Sequence, residues 1–412
     1  MPTIAPPRRG ARLLQAPVLV WSAFILAHLW LGFLNYTAPG LPMGDVTIVY
    51  EGWARQSTLA HYTVGIDSVW VYPLAALLPI LLAAVFGLAN YPATWLSIVL
   101  VLDLAAFAVV VGRGTRPGGV RAGWWWTAFL LLLGPIALGR LDSVSVPLAV
   151  IAMIVVSHRP QAAAVLLAIA TWIKVWPVAL IGAVAVTLRR RGIVVATVLA
   201  VSGAIVVIGL VLGSGSNVLS FITQQTGRGL QIESPVSTIW LWLADLHVPG
   251  VQVYYDTQIL TFQIRGPGTE VAAALMNPIL GLAALLVLTL GVIAVRHGVP
   301  ETMILPPLAL ALVTALFAFN KVGSPQYMTW IAVPVILGLV THAAGDGRSF
   351  RTPAVLALVL AGLTQIIYPY LYNSLLVVAP WMLVVVTLRN ALLLALVAWA
   401  MRELWVLARE HR

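Results

Sequence analysis

The chain has 412 residues, of which 61% are hydrophobic and only 9% charged, a balance that excludes a set of soluble domains and describes a polytopic membrane protein. Its formal charge of +10 comes from basic residues scattered singly or in short groups between apolar runs, which read as topology determinants and speak against a nucleic-acid partner. Cysteine is absent, so no disulfide, thiol nucleophile or cysteine metal site can form.

A helix needs about 20 apolar residues to cross the hydrocarbon. In chain order the apolar stretches fall at 17–35, 73–88, 93–112, 124–138, 144–157, 161–175, 177–188, 193–213, 271–295, 301–319, 327–343, 353–368 and 380–405. The first follows Arg8, Arg9 and Arg12, as in a signal peptide, but it is long and lacks an A-x-A site, so it is read as a retained span. The basic groups around Arg113, Arg116 and Arg121, Arg159, Arg189 to Arg191, Arg296, Arg348 and Arg351, and Arg402 to Arg412 belong inside by the positive-inside rule. That rule leaves one stretch too many. Either 73–88 or 93–112 is re-entrant or interfacial, and the expectation is one all-α domain over residues 1–412, a bundle of about 12 transmembrane helices.

Two long polar loops then face outward, 36–72 and 214–270, with shorter turns at 139–145, 174–177, 320–327 and 368–381. Eight of the 13 acidic residues lie on this side. In the first loop, Pro and Gly residues from Pro39 to Gly44 set a turn, and Asp45 starts a helix whose Val46, Val49, Tyr50 and Trp53 share one face, a pattern suited to the membrane surface. Asp45 is placed either to cap that helix or to act on a ligand at headgroup depth.

The only two lysines, Lys174 and Lys321, stand at the outer ends of spans, and Arg140 is a third outer cation beside Asp142. Charges near hydrocarbon cost about 2.5–3.5 kcal/mol each on insertion scales, so a group of them points to an anionic partner such as a phosphate, although snorkelling or an internal Arg140 to Asp142 pair would also explain them. The stretch from Gln224 to Ser234, with Arg228 and Glu233, is rich in amides and charges suited to a polyol or a phosphate. It would serve equally as a solvated loop. Tyr50, Trp53, Trp172 and Trp176 offer apolar platforms or interfacial anchors. His28, Asp103 and Arg389 fall within apolar runs, where pairing between helices competes with a functional role. No nucleotide-binding, zinc-protease or serine-hydrolase fingerprint occurs.

A first span, a long outer loop with an early Asp, many further spans and no cytoplasmic domain resemble the glycosyltransferase C superfamily. Gly139-Arg140-Leu141-Asp142, Lys174 with Pro177, Arg228-Gly229-Leu230-Gln231-Ile232-Glu233-Ser234 and Lys321-Val322-Gly323-Ser324-Pro325-Gln326-Tyr327 are similar, more narrowly, to the actinobacterial branch of phosphatidylinositol mannoside mannosyltransferases and related arabinofuranosyltransferases. The resemblance implies a polyprenyl-phosphate sugar donor, a glycolipid or glycan acceptor, the lipid bilayer as partner, and Asp45 as general base. It places Tyr50, Arg140, Asp142, Lys174, Arg228, Glu233, Lys321, Gln326 and Tyr327 among the substrate-binding residues. Many members carry two adjacent acids in the first loop; here Val46 follows Asp45 and the next acid is Glu51, so no metal and no other cofactor is expected. A transporter or flippase for a lipid-linked solute, or a non-catalytic lipid-carbohydrate scaffold, would draw on the same charges.

Overall fold

The structure, a computed structural model, describes residues 16–224 and 228–412. The basic start at Arg8, Arg9 and Arg12 and residues Gln225, Thr226 and Gly227 of the amide-rich stretch lie outside the described residues. Within them the chain forms 17 α-helices and one small sheet.

Helix α1 (Pro17–Thr37) opens on a proline at its first turn, where a missing N–H costs nothing. The outer loop that follows carries a π-helical turn at Asp45–Tyr50 running into α2 (Glu51–Leu59). Val46, Tyr50 and Ala54 are buried, with Val49 and Trp53 packed beside them, so the apolar face expected from the spacing is the one that docks. Residues 73–88 hold only a 3-10 turn and the six-residue α3 (Leu77–Leu82), about 9 Å of helix. They are too short to cross; of the two stretches it is Leu88–Val111, which contains α4 (Tyr91–Val111) closed by Gly112 in the left-handed region, that is long and apolar enough to do so.

Then come α5 (Gly119–Leu133), α6 (Asp142–Val155), α7 (Pro160–Ile173), α8 (Val178–Thr187) and α9 (Arg191–Val211). The second half holds α12 (Thr269–Arg296), α13 (Glu301–Ala318), α14 (Met328–Ala343), α15 (Arg351–Gln365) and α17 (Pro380–Glu410), with the five-residue α16 (Tyr372–Leu376) before the last. Among the described residues eight helical segments, not about 12, are long and apolar enough to cross a membrane: Pro17–Thr37, Leu88–Val111, Arg191–Val211, Thr269–Arg296, Glu301–Ala318, Pro325–Ala343, Arg351–Tyr370 and Pro380–Glu410. Helices α5 to α8 fall short because Gly134-Pro135, Arg159-Pro160 and Trp176-Pro177 break the apolar runs; a 14-residue helix spans only about 21 Å of a hydrocarbon core of about 30 Å. Several short helices lie in the interior. Every described position of α6 but Leu148, Ile151 and Val155 is buried, and α13 and α14 are likewise enclosed, whereas α9 and α12 present most of their surface outward.

Contacts sort the loops by end. The basic loops meet one another: Gly114 abuts Pro17, Gly118 abuts Ala343, the Arg189 N–H reaches Glu301 and Arg348 bridges Glu403 and Glu410. The loops read as outer also meet, at the site described below.

The middle loop contains structure that the hydropathy pattern did not announce. After α10 (Ser220–Thr223), strands β1 (Leu230–Gln231), β2 (Gln252–Asp256) and β3 (Thr261–Arg265) form an antiparallel sheet in the order β1-β3-β2, with α11 (Thr238–Asp245) between β1 and β2. Leu230, Ile264 and Ile232 form a second core with Trp240 and with Met382, Leu383 and Val386 of α17. The runs Val253-Tyr254-Tyr255 and Thr261-Phe262 carry the β-branched and aromatic residues from which a hairpin is legible.

Candidate functional site

The turn before Asp45 is built from Gly40, in the left-handed region, and is held by Tyr368, whose hydroxyl donates to the Gly40 carbonyl at 3.0 Å. A Cβ at Gly40 would overlap the Pro369 backbone. Asp45 then begins the π turn, a geometry frequent at functional sites. Among the described residues its carboxylate caps no backbone N–H. Instead Oδ2 lies 3.0 Å from Arg140 Nε, and Arg140 Nη1 donates to the carbonyls of Pro42 (2.6 Å) and Gly139 (2.7 Å). Arg140 thus clamps the loop while holding the carboxylate. The Asp45 side chain is 38% exposed against 10% for Arg140, so the acid opens outward and the cation sits behind it. Burial opposes the charge on Arg140, but Asp45 and the nearby tyrosines outweigh it and raise its pKa.

Asp142 does not pair with Arg140. It is fully buried at the start of α6, with Oδ2 3.1 Å from Lys174 Nζ and Oδ1 accepting from Trp330 Nε1 at 2.6 Å. Both oxygens are engaged, so Asp142 positions Lys174 and leaves no oxygen for a ligand. Burial works against the Lys174 ammonium, yet Asp142, Tyr72 and Tyr327 raise its pKa overall. Trp330 stacks between Tyr327 (4.1 Å between ring centroids) and Trp176 (5.4 Å), and Trp176 Nε1 donates to Ser145. Lys174→Met leaves Asp142 buried without its counter-charge, which costs about 3–5 kcal/mol. The expected outcome is a lower unfolding temperature in detergent, largely restored when Asp142→Leu is added.

A third cationic group lies beside the second. Lys321 follows α13, its carbonyl accepts from the Gln231 N–H at 3.1 Å, and Gly323 packs so closely on Glu233 and Ser234 that a Cβ there would overlap their backbone. This contact joins the sheet to the loop at 320–327, where Gln326 is buried and Tyr327 stacks on Trp330. Arg228 lies within electrostatic reach of both Lys321 and Tyr327, and its Nε is buried without a partner among the described residues. Burial, reinforced by Arg228, lowers the Lys321 pKa. A bound anion reverses that, so anion binding takes up a proton at pH values above the lowered pKa, and affinity falls as pH rises through it. Titration of a short-chain polyprenyl phosphate against pH is expected to show this slope, and Lys321→Arg is expected to flatten it.

The three groups are continuous through aromatic side chains. Tyr50 lies 6.3 Å from Tyr72 between ring centroids, Lys174 Nζ lies 5.0 Å from the Tyr72 ring and 6.0 Å from that of Tyr327. Trp53 and Trp70 stand edge-on to Tyr72. Tyr50 is buried, its hydroxyl without a partner among the described residues; burial, with Tyr72, Asp45 and Asp142 adding to it, holds its phenol protonated far above the usual range. Asp45, Tyr50, Arg140, Lys174, Arg228, Lys321, Gln326 and Tyr327 therefore belong to one region, with Asp142 beneath it.

Glu233 is placed differently. Its carboxylate is taken by Arg389 of α17 at 3.0 Å, both side chains being almost wholly buried, and Arg389 also binds Asn390, which donates to Thr238. Glu233 ties the sheet to the last helix. His28 and Asp103 likewise pair, at 2.9 Å between α1 and α4. Tyr72, Trp330 and Tyr368 escaped the sequence reading; Tyr72-Pro73 and Tyr368-Pro369 at loop edges were the available signal, and Trp330 had none.

The surroundings of Asp45 do not fit a divalent cation. The next acid, Glu51, pairs with Arg55 at 2.9 Å, a guanidinium faces Asp45, and no group of three His, Asp or Glu among the described residues is arranged to hold a metal. No protein-family model matches the chain, and no curated protein and no solved structure matches it either.

Proposed function

We propose that the chain is an inverting membrane glycosyltransferase of C-type architecture, moving a sugar from a polyprenyl-phosphate donor to a glycolipid or cell-envelope glycan acceptor on the outer side of the membrane. Mannose is the sugar by resemblance. The observation that carries the reading is the division of charge: one accessible carboxylate, Asp45, at one end of an aromatic wall, and Lys174, Lys321 and Arg228 at the other. Transfer from a phosphate-linked donor needs both a proton acceptor and an anion holder, on opposite sides of the reacting carbon.

The acceptor hydroxyl gives its proton to Asp45 as its oxygen bonds to the anomeric carbon. The bond from that carbon to the phosphate oxygen breaks, and its electron pair leaves with the polyprenyl phosphate, whose charge the cations stabilise, so no separate acid is needed. Attack from the face opposite the phosphate inverts the configuration through an oxocarbenium-like state. Arg140, held by two backbone carbonyls, keeps Asp45 Oδ2 in place through the step.

Purified protein in lipid vesicles, given polyprenyl phosphate carrying radiolabelled mannose or arabinose and a glycolipid acceptor, tests this directly. Label appearing on the acceptor supports transfer and identifies the sugar. Label that crosses the bilayer while still on its lipid makes the protein a flippase, and label bound without product makes it a scaffold; either result overturns the proposal.

A further inference from the structure

The three-stranded sheet alternates strictly. Gln231, Gln263 and Tyr254 are register partners and share a face with Gln252, Asp256, Thr261 and Arg265, while Leu230, Ile264 and Val253 share the other. The apolar face is in the core on α17, but the centre of the polar face is not in water: Gln231 and Gln263 are almost completely buried. Among the described residues the side-chain Oε1 of each has no hydrogen-bond partner, and the same holds for Arg228 Nε and Ser234 Oγ.

The residues that carry these atoms are neighbours along the chain and across the sheet, Gln231 and Gln263 being register partners. A Cβ on Gly229, next to Arg228, would overlap the Gln263 amide; the Ser234 N–H donates to the Gln231 carbonyl at 3.0 Å. Gln263 Nε2 donates to Asp256 at 2.8 Å, which fixes that amide with Oε1 as its vacant acceptor. Buried polar atoms are almost always hydrogen-bonded, so four unpartnered ones together point to a partner outside the chain. Their chemistry restricts it. Arg228 offers a donor and Ser234 a hydroxyl, but the two amide oxygens need O–H or N–H groups, which a fully ionised phosphate lacks. We infer that this face is a subsite for the hydroxyls of a glycosyl group, with Gln231 and Gln263 accepting from sugar O–H groups and Arg228 donating to a sugar oxygen. The inference rests on the transferase reading. The sugar belongs either to the donor or to the acceptor, and their shared hydroxyl chemistry is what the residues recognise.

Binding by the full chain in lipid nanodiscs separates the cases. The probes are a short-chain polyprenyl phosphate, the same lipid carrying mannose, and a mannose-bearing glycolipid; the proteins are wild type, Gln263→Leu and Ser234→Ala. The expected result is that all three proteins bind the bare lipid phosphate alike, while one sugar-bearing probe loses about tenfold affinity with Gln263→Leu and several-fold with Ser234→Ala, identifying which sugar occupies the subsite. If Gln263→Leu also loses the bare lipid, Ser234→Ala decides alone by the same criterion. Bare-lipid binding with no sugar probe affected by Ser234→Ala or Gln263→Leu overturns the subsite and leaves the phosphate site standing. Failure of wild type to bind any of the lipids overturns both.

Discussion

Asp45→Asn transfers sugar about 10²–10⁴ times more slowly than wild type, the usual worth of general-base assistance, with little change in folding. Stability changes little because the acid is more than a third exposed, where an ion pair contributes about 0–1 kcal/mol, and because Arg140 keeps its bonds to Pro42 and Gly139. Glu51→Gln is the matched control, since Glu51 pairs with Arg55 on its own helix and retains no part in the chemistry. Single-turnover transfer from labelled polyprenyl-phosphate mannose measures the loss. Near wild-type turnover in Asp45→Asn, or an equal loss in Glu51→Gln, removes Asp45 from the mechanism.

Arg389→Leu produces a large loss of stability. Its guanidinium is completely buried in α17 and shared between Glu233 and Asn390, so its removal strands a buried carboxylate at a cost of about 3–5 kcal/mol. Adding Glu233→Leu to Arg389→Leu recovers most of this, because two apolar side chains there need no partner. Burial already holds the Glu233 carboxyl above its ordinary range, against the opposing pull of Arg389 and a hydrogen bond from Tyr372. Without Arg389 that rise grows. A carboxyl whose folded pKa is raised favours folding at low pH and loses that contribution as pH rises through the raised value, so the Arg389→Leu deficit is smallest in acid. Thermal unfolding in detergent across pH tests both the cost and its slope. A deficit that persists in the double variant assigns the loss to packing of α17 instead.

Sites in this protein are joined by contacts between distant loops, and sequence reasoning reached them unevenly. Asp45, Arg140, Lys174 and Lys321 stand out in the sequence because a charge bordering an apolar run is conspicuous one residue at a time. Their partners are not. The sequence offered Asp142 as a partner for its near neighbour Arg140, yet the chain direction at the start of α6 turns Asp142 inward to Lys174 and Trp330, and Arg140 meets Asp45 instead. Glu233 looked like part of a solvated or ligand-binding loop; the sheet that folds there draws it onto Arg389.

The amino-acid pattern alone determined the multi-pass apolar character, the positions of the long apolar helices, and the docking face of Asp45–Tyr50 and its continuation, because hydropathy and helical spacing are local properties of the chain. Tertiary structure decided which of two adjacent apolar stretches is broken, which helices are interior and short, that a small sheet stands in the middle loop, and which charge neutralises which. Those outcomes depend on packing between segments far apart in sequence, whose energies appear only when the chain has brought them together.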